Sequence, residues 1–523
     1  MKYDINKLSL EEKIGQLFMF GFDATKINGH ALKLIKDYKV GNVILFARNI
    51  KTPEQVFKLN QSLQKLAYQE IGIPLFISID QEGGMVSRIT SGATFFPGAM
   101  TIAATNDVNN AYLSGKYMGL ELINLGINMN FAPVLDVNNN PKNPVIGVRS
   151  FSDQPNMVAE YGVAFMEGLQ ENVIATGKHF PGHGDTHIDS HLALPKVGYQ
   201  MGRLNQVELV PFKHAIQKGI KAIMSSHIDF PALTEHGLPT TLSKKCMTGF
   251  LREELGFEGL IVTDGMQMKA IQDNYTTVGA SLMAIEAGAN MVCICHSEEL
   301  QIKATQYVKE SVLNQKLSEE ILNERVARVL KFKEELNEID LNQKYEAVQD
   351  IVENDQTKEF SYQVVRNALT LVKGHPLTLK KNALFIGALP IATSIADESD
   401  GEHSIIKQIK QNLPTLATYT LPIEPTELDI EMILHAAKKK EQVILCTYNA
   451  NIFQGQIELM NRLSELNLDL HVISMRNPYD LHYAKKIKNY VCLYEYTPNS
   501  LRVLLEYLKK ELVPKGIIPI AYE

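Results

Sequence analysis

Cysteine is scarce and odd in number, with five residues in a chain of 523: Cys246, Cys293, Cys295, Cys446 and Cys492. Most sit in apolar runs such as MVCICH and VILCTY, so they read as reduced core thiols, and a disulfide framework is excluded. The C-x-C pair, Cys293 and Cys295, lacks a zinc-ribbon spacing. No apolar run approaches the roughly 20 residues of a membrane-spanning helix. No basic run stands out against the modest net charge of −7, which argues against nucleic acid or an anionic membrane as partner. The first 22 residues carry scattered charges and no apolar h-region, so no export signal is read and a cytoplasmic location is expected. Low-complexity tracts and short-period repeats are missing too. What remains, 45% hydrophobic and 21% charged, is an ordinary globular balance.

Single cores stop growing at roughly 250–300 residues, so this length predicts two or more domains. Short apolar runs recur with amphipathic stretches between them: QLFMF (16–20), NVILF (42–46), LFISI (75–79), INMNF (127–131), IATGK (174–178), AIMSS (222–226), LIVTD (260–264) and NMVCI (290–294). Such runs suit strands buried on both faces, and the gaps carry helix patterns such as PEQVFKLNQSLQKLAYQE. Eight β-α repeats in about 300 residues predict a closed (β/α)8 TIM-like barrel. An open doubly wound sheet is the alternative, but no G-x-G-x-x-G follows the first strand. Residues 318–370 read as mostly helical. Beyond them ALFIGAL (383–389), QVILCTYN (442–449), LHVISM (470–475) and YVCLYEY (490–496) predict a smaller α/β domain. The expected division is a catalytic barrel over 1–335, a helical linker over 336–372 and an α/β sandwich domain over 373–523.

Barrel enzymes place their chemistry at the C-terminal ends of the strands. Polar groups gather there: Asp80 after the third run, Asp136 and Arg149 past the fourth, Lys178 and His179 on the fifth, His227 after the sixth, Asp264 after the seventh. Loops begin at strand ends, so one such residue would mean little. Five strands of eight argue for a convergent site.

The densest stretch is KHFPGHGDTHIDSH, residues 178–191. As a metal site it offers His179, His183, His187, Asp189 and His191, but Pro181, Gly182 and Gly184 forbid a helix that would align the first two histidines. As a solvated loop it needs neither the flanking glycines nor a Lys-His pair at a strand end. As a proton-transfer site it is well equipped. Asp189 can hold one ring nitrogen of His191 while the other faces a substrate, Gly182 and Gly184 let the loop swing, and Asp264 supplies a carboxylate from a rigid strand end. That pairing suits glycoside cleavage.

The loop, followed by LALP, closely resembles the signature of the bacterial β-N-acetylglucosaminidases of glycoside hydrolase family 3. IDQEGGMVSR, FAPVLDV, GVRSF, MSSHIDFP and VTDGMQMKAI resemble the family's barrel landmarks in order, and RNPYDL, YEYT and PKGIIPI resemble the second domain of two-domain members. The resemblance implies Asp264 as nucleophile, His191 as general acid/base and Asp189 as its dyad partner. It implies Asp80, Arg88, Arg149, Lys178 and His179 as sugar-binding residues, with His227 at the sixth strand end added to that set. It implies a retaining exo-β-N-acetylglucosaminidase acting on GlcNAc-containing glycans, cell-wall fragments among them, with no metal and no cofactor. Two departures stand out: Ser152 replaces an expected Gly, and the export signal of secreted two-domain relatives is not read. A phosphorylase and a family 3 β-glucosidase or β-xylosidase are the competing activities. A non-enzymatic wall-binding protein would be expected to lose Asp264 or the dyad.

Overall fold

A computed structural model of the chain describes residues 3–187, 189–190, 193–336, 340–388 and 404–522. The first sheet comprises β1 (Phe18–Phe20), β2 (Asn42–Leu45), β3 (Phe76–Ile79), β4 (Met129–Asn130), β5 (Ile174–Phe180), β6 (Ala222–Ser225), β7 (Leu260–Thr263) and β8 (Val292–Ile294). All eight expected strands are present, and every residue in them is buried. Neighbours are parallel and run in chain order, with β8 returning beside β1. The ring closes between β7 and β8: the N–H groups of Asn290 and Met291 donate to Ile261, and that of Thr263 donates to Met291. The result is an eight-stranded TIM-like barrel.

The covering helices follow from local sequence. In the helix Pro53–Glu70, Thr52 caps the N-terminus and Pro53 sits in the first turn, where its missing N–H costs nothing. Val56, Leu59, Leu63 and Ala67 then recur every three or four residues on the buried face. Among the described residues, no helix is long and apolar enough to cross a membrane.

Past the helix Glu319–Glu334 come short turns and the helix Asp355–Ala368. The second sheet comprises β9 (Thr370–Lys373), β10 (Ala383–Ala388), β11 (Ala417–Leu421), β12 (Gln442–Thr447), β13 (Asp469–Ser474) and β14 (Asn489–Cys492), in the order β11-β10-β12-β13-β14-β9. All its pairs are parallel except β14 with β9. The sequence reading has no counterpart for β9 and β11. Both are edge strands with partly exposed side chains, so neither makes the continuous apolar run that marks a strand buried on both faces.

The two cores are not insulated from each other. Met85, Met100, Ala104 and Val148 of the barrel's loops and helices pack into the core of the second sheet. The last described segment returns the other way: the N–H of Ile517 donates to Ala104, and the hydroxyl of Ser152 donates to the Pro519 carbonyl at 2.5 Å. Ser152 thus ties this segment to the barrel, a bond that the Gly expected there could not make.

Candidate active site

The C-terminal ends of the barrel strands open on one cavity of about 360 Å³. Asp80 enters directly after β3, Lys178 and His179 from the end of β5, and Asp264 directly after β7. Arg88 and Arg149 enter from the loops after β3 and β4. Of the residues expected to bind substrate or react, these six line one space.

Their charges are interlocked. Lys178 Nζ donates to Asp80 Oδ1 at 2.9 Å and lies 2.6 Å from Glu82 Oε1. Arg149 grips Glu82 with a two-pronged pair, Nε to Oε2 at 2.9 Å and Nη2 to Oε1 at 2.8 Å, and Arg88 Nη2 stands 3.7 Å from Asp80 Oδ2. Burial alone would raise the Glu82 carboxyl, but Arg149 and Lys178 overcome it and hold the group far below the ordinary carboxylate range. Burial likewise opposes the charge on Lys178, and Asp80 with Glu82 outweighs it and raises the ammonium. Glu82 and Lys178 on this wall are therefore ionised at neutral pH and held in place by their partners. Glu82 did not stand out in the sequence, because an acid three residues past a strand end looks like any loop acid.

Asp136 organises the next wall. Its Oδ1 accepts the backbone N–H groups of His179 and His183, at 3.0 and 2.7 Å, and its Oδ2 accepts from His179 Nδ1 at 2.7 Å. That fixes the tautomer and leaves Nε2 of His179 for a ligand. Burial would raise Asp136, and the neighbouring His179 more than reverses this.

The histidine loop is pinned rather than hinged where it leaves β5. His183 is buried, with Nδ1 2.9 Å from the Thr186 hydroxyl and Nε2 2.9 Å from that of Ser190. Burial, with His179 adding to it, pushes the imidazole down to about 4, so it is neutral at ordinary pH. A Cβ on Gly184 would lie 1.7 Å from the Val137 carbonyl oxygen, so glycine is required there by backbone contact. This replaces the expectation that Gly184 serves as a swing point. Asp189 is half-buried, and its carbonyl accepts the N–H of Ala193 at 3.2 Å. His191, the expected acid/base, lies outside the described residues.

His227 is set apart from the cavity-lining residues. It is fully buried, with Nδ1 2.8 Å from the Thr241 hydroxyl and Nε2 donating to the Gly265 carbonyl at 3.1 Å. The ring therefore braces the turn that carries Asp264, whose Oδ1 accepts the Gly265 N–H at 2.7 Å. His227, expected to bind substrate, is not among the residues that line the cavity.

The second domain also reaches the site's supports. Asn477 Oδ1 accepts the N–H of Val148 at 3.0 Å, beside Arg149, and a Cβ on Gly147 would lie 2.4 Å from the same oxygen. Tyr479 donates to the Asn138 carbonyl at 3.3 Å, and Asn451 Nδ2 donates to that of Pro141 at 2.8 Å.

The model of the glycosyl hydrolase family 3 N-terminal domain matches residues 9–332. A β-hexosaminidase A of Pseudoalteromonas piscicida is 40% identical over 327 residues, 58% of this chain, and the match spans only 55% of that relative. A β-hexosaminidase of Nitrosomonas eutropha is 36% identical over 267 residues, covering 50% of this chain and 75% of that one. The solved structure of a family 3 β-N-acetylglucosaminidase from a Paenibacillus species superposes with a TM-score of 0.90 at 36% identity, covering 98% of this chain and 99% of that one. The barrel, the strand-end cavity and these likenesses agree: the chain belongs to glycosyl hydrolase family 3.

Proposed function

We propose that this chain is a retaining exo-β-N-acetylglucosaminidase that releases a terminal, non-reducing GlcNAc from glycans, with peptidoglycan fragments as the natural source. One observation carries the reading: Asp264 stands at a rigid strand end in the same cavity as the ionised cluster of Asp80, Glu82, Lys178 and Arg149. The cluster offers acceptors and donors to sugar hydroxyls. A cavity of about 360 Å³ is at the small end for ligand sites and suits one sugar unit better than a polymer. The relatives named above are β-hexosaminidases and a β-N-acetylglucosaminidase, which favours an acetamido sugar.

In this reading Asp264 attacks the anomeric carbon while His191, oriented by Asp189, protonates the departing oxygen. Water then opens the glycosyl ester, with His191 acting as base. Neutral, doubly bonded His183 is a poor substitute for that role. Exposed Lys269 on the cavity lining would suit the lactyl carboxylate of a muramic acid neighbour.

The test compares aryl β-GlcNAc with aryl β-glucoside, each with and without phosphate, and follows the first-formed anomer. Release of β-GlcNAc as free sugar, independent of phosphate, is expected. A mechanism-based fluoro-sugar should label Asp264, and Asp264→Asn should reduce turnover to background. Labelling elsewhere or an α first product would overturn the mechanism, and a phosphate requirement would make the chain a phosphorylase.

A further inference from the structure

The end of the second sheet opposite the loops that meet the barrel carries a cluster the glycosidase reading does not use. Asp469 and His471 are two apart on β13 and therefore project from the same face of the sheet. His375 reaches them from the turn after β9, where Gly374 takes φ +80° and the His375 N–H donates to Asn489 Oδ1 at 3.3 Å. One ligand-type atom from each of the three lies within 4.8 Å of the others. Loops at the opposite end of this sheet dock on the barrel through Asn451, Asn477 and Glu495. The cluster thus stands roughly 17–20 Å from that interface, one strand length away.

We propose that His375, Asp469 and His471 form a binding site for a divalent cation of the zinc class, with a fourth position open to solvent on the His375 side. His471 is 2% exposed, and apart from the approach of its Nε2 to Asp469 Oδ1 its ring nitrogens find no hydrogen-bond partner among the described residues. A buried imidazole left so is costly, and a cation bound to a nitrogen lone pair removes that cost. His471 Nε2 and Asp469 Oδ1 are 3.2 Å apart. Two ligands about 2.0–2.2 Å from a tetrahedral zinc are separated by about 3.4 Å, so this pair already nearly spans one edge of the coordination sphere. His375 is exposed on its turn and can close the remaining gap.

Outer bonds of the kind that orient metal ligands are present as well. Asp469 Oδ2 accepts from Gln442 Nε2 at 2.9 Å and sits 3.2 Å from Lys380 Nζ, leaving Oδ1 for the cation. His375 Nδ1 lies 3.2 Å from the Pro376 carbonyl, which favours the tautomer whose Nε2 lone pair can ligate. Two imidazoles and one carboxylate suit zinc and exclude the all-oxygen preference of calcium and magnesium. Lys380 is the built-in competitor, since its charge opposes a cation beside the same carboxylate.

The test uses the untagged, full-length chain, stripped with a chelator and titrated with zinc chloride, with zinc per chain and the dissociation constant as readouts. Wild type is expected to hold one more zinc than either His375→Ala or Asp469→Asn. His375 is on the surface, so its variant should fold, and the histidines of residues 179–191 stay intact in both variants. Zinc should raise the Tm of wild type and not that of His375→Ala, Lys380→Met should bind zinc at least several-fold more tightly, and hydrolysis of an aryl β-GlcNAc should be unchanged in all three variants. Equal zinc content and equal affinity in wild type, His375→Ala and Asp469→Asn would overturn the site. Displacement of the zinc by a tenfold excess of calcium would overturn its chemical class.

Discussion

Both sheets end in loops that bury carboxylates, and the two sets are treated in opposite ways. At the barrel's C-terminal end, Glu82 and Asp136 face Arg149, Lys178 and His179, and stay ionised despite burial. In the loops beyond β13 and β14, the partners of Asp480 and Glu495 among the described residues are neutral donors. Asp480 accepts from the hydroxyls of Tyr490 and Thr447, and Glu495 from those of Thr101 and Thr497 and from the N–H of Gly98. Burial prevails there, pushing Asp480 up to about 6 and raising Glu495 as well. Carboxylates that meet cations at the barrel's strand ends release their protons more readily, and carboxylates that meet neutral donors in the loops of the second sheet hold theirs more tightly.

The largest test of this contrast is Glu82→Gln. It leaves Arg149 and Lys178 buried without their shared counter-charge, and removing one partner of a buried pair costs roughly 3–5 kcal/mol. Urea denaturation should record that loss. Next comes His183→Gln. Folded His183 takes its proton near 4 and the unfolded residue near 6.5, so acidification across that window protonates the unfolded chain first and stability falls. The variant should lack up to about 3 kcal/mol of this acid-induced loss, read from paired denaturation curves at pH 6.5 and 4. Equal slopes in both proteins would mean that His183 does not differ between its two states.

Asn477→Ala should slow aryl β-GlcNAc cleavage by roughly 10- to 100-fold, because it frees the loop carrying Arg149 without changing any side chain that lines the cavity. The smallest effect belongs to Asp480→Asn, about 1 kcal/mol at pH 7. Its pH response is opposite in sign to that of His183. The folded carboxyl binds its proton at about 6 against 3.8 when unfolded, so its contribution is present at low pH and is lost as pH rises through 6. If Asp480→Asn costs as much as Glu82→Gln, charge is not what separates the two regions.

The barrel was legible because its strands are local apolar runs, and five of the six cavity residues because strand ends converge in this architecture, while Arg88 came only from the family resemblance. Glu82 and Asp136 depend on partners 67 and 43 residues away, which no local pattern records. His227 looked like its neighbours at the other strand ends, and only the third dimension gave its nitrogens to Thr241 and Gly265. β9 and β11 were missed because edge strands can remain partly exposed.

The bond from Val148 to Asn477 joins residues 329 positions apart. At roughly 5–20 residues per second of synthesis, about 16–66 seconds pass between the appearance of the two ends. During translation the barrel therefore carries its strand-end cavity residues well before the loop bearing Arg149 has its brace. The half that holds the cavity is made first and braced last, by the half that follows it.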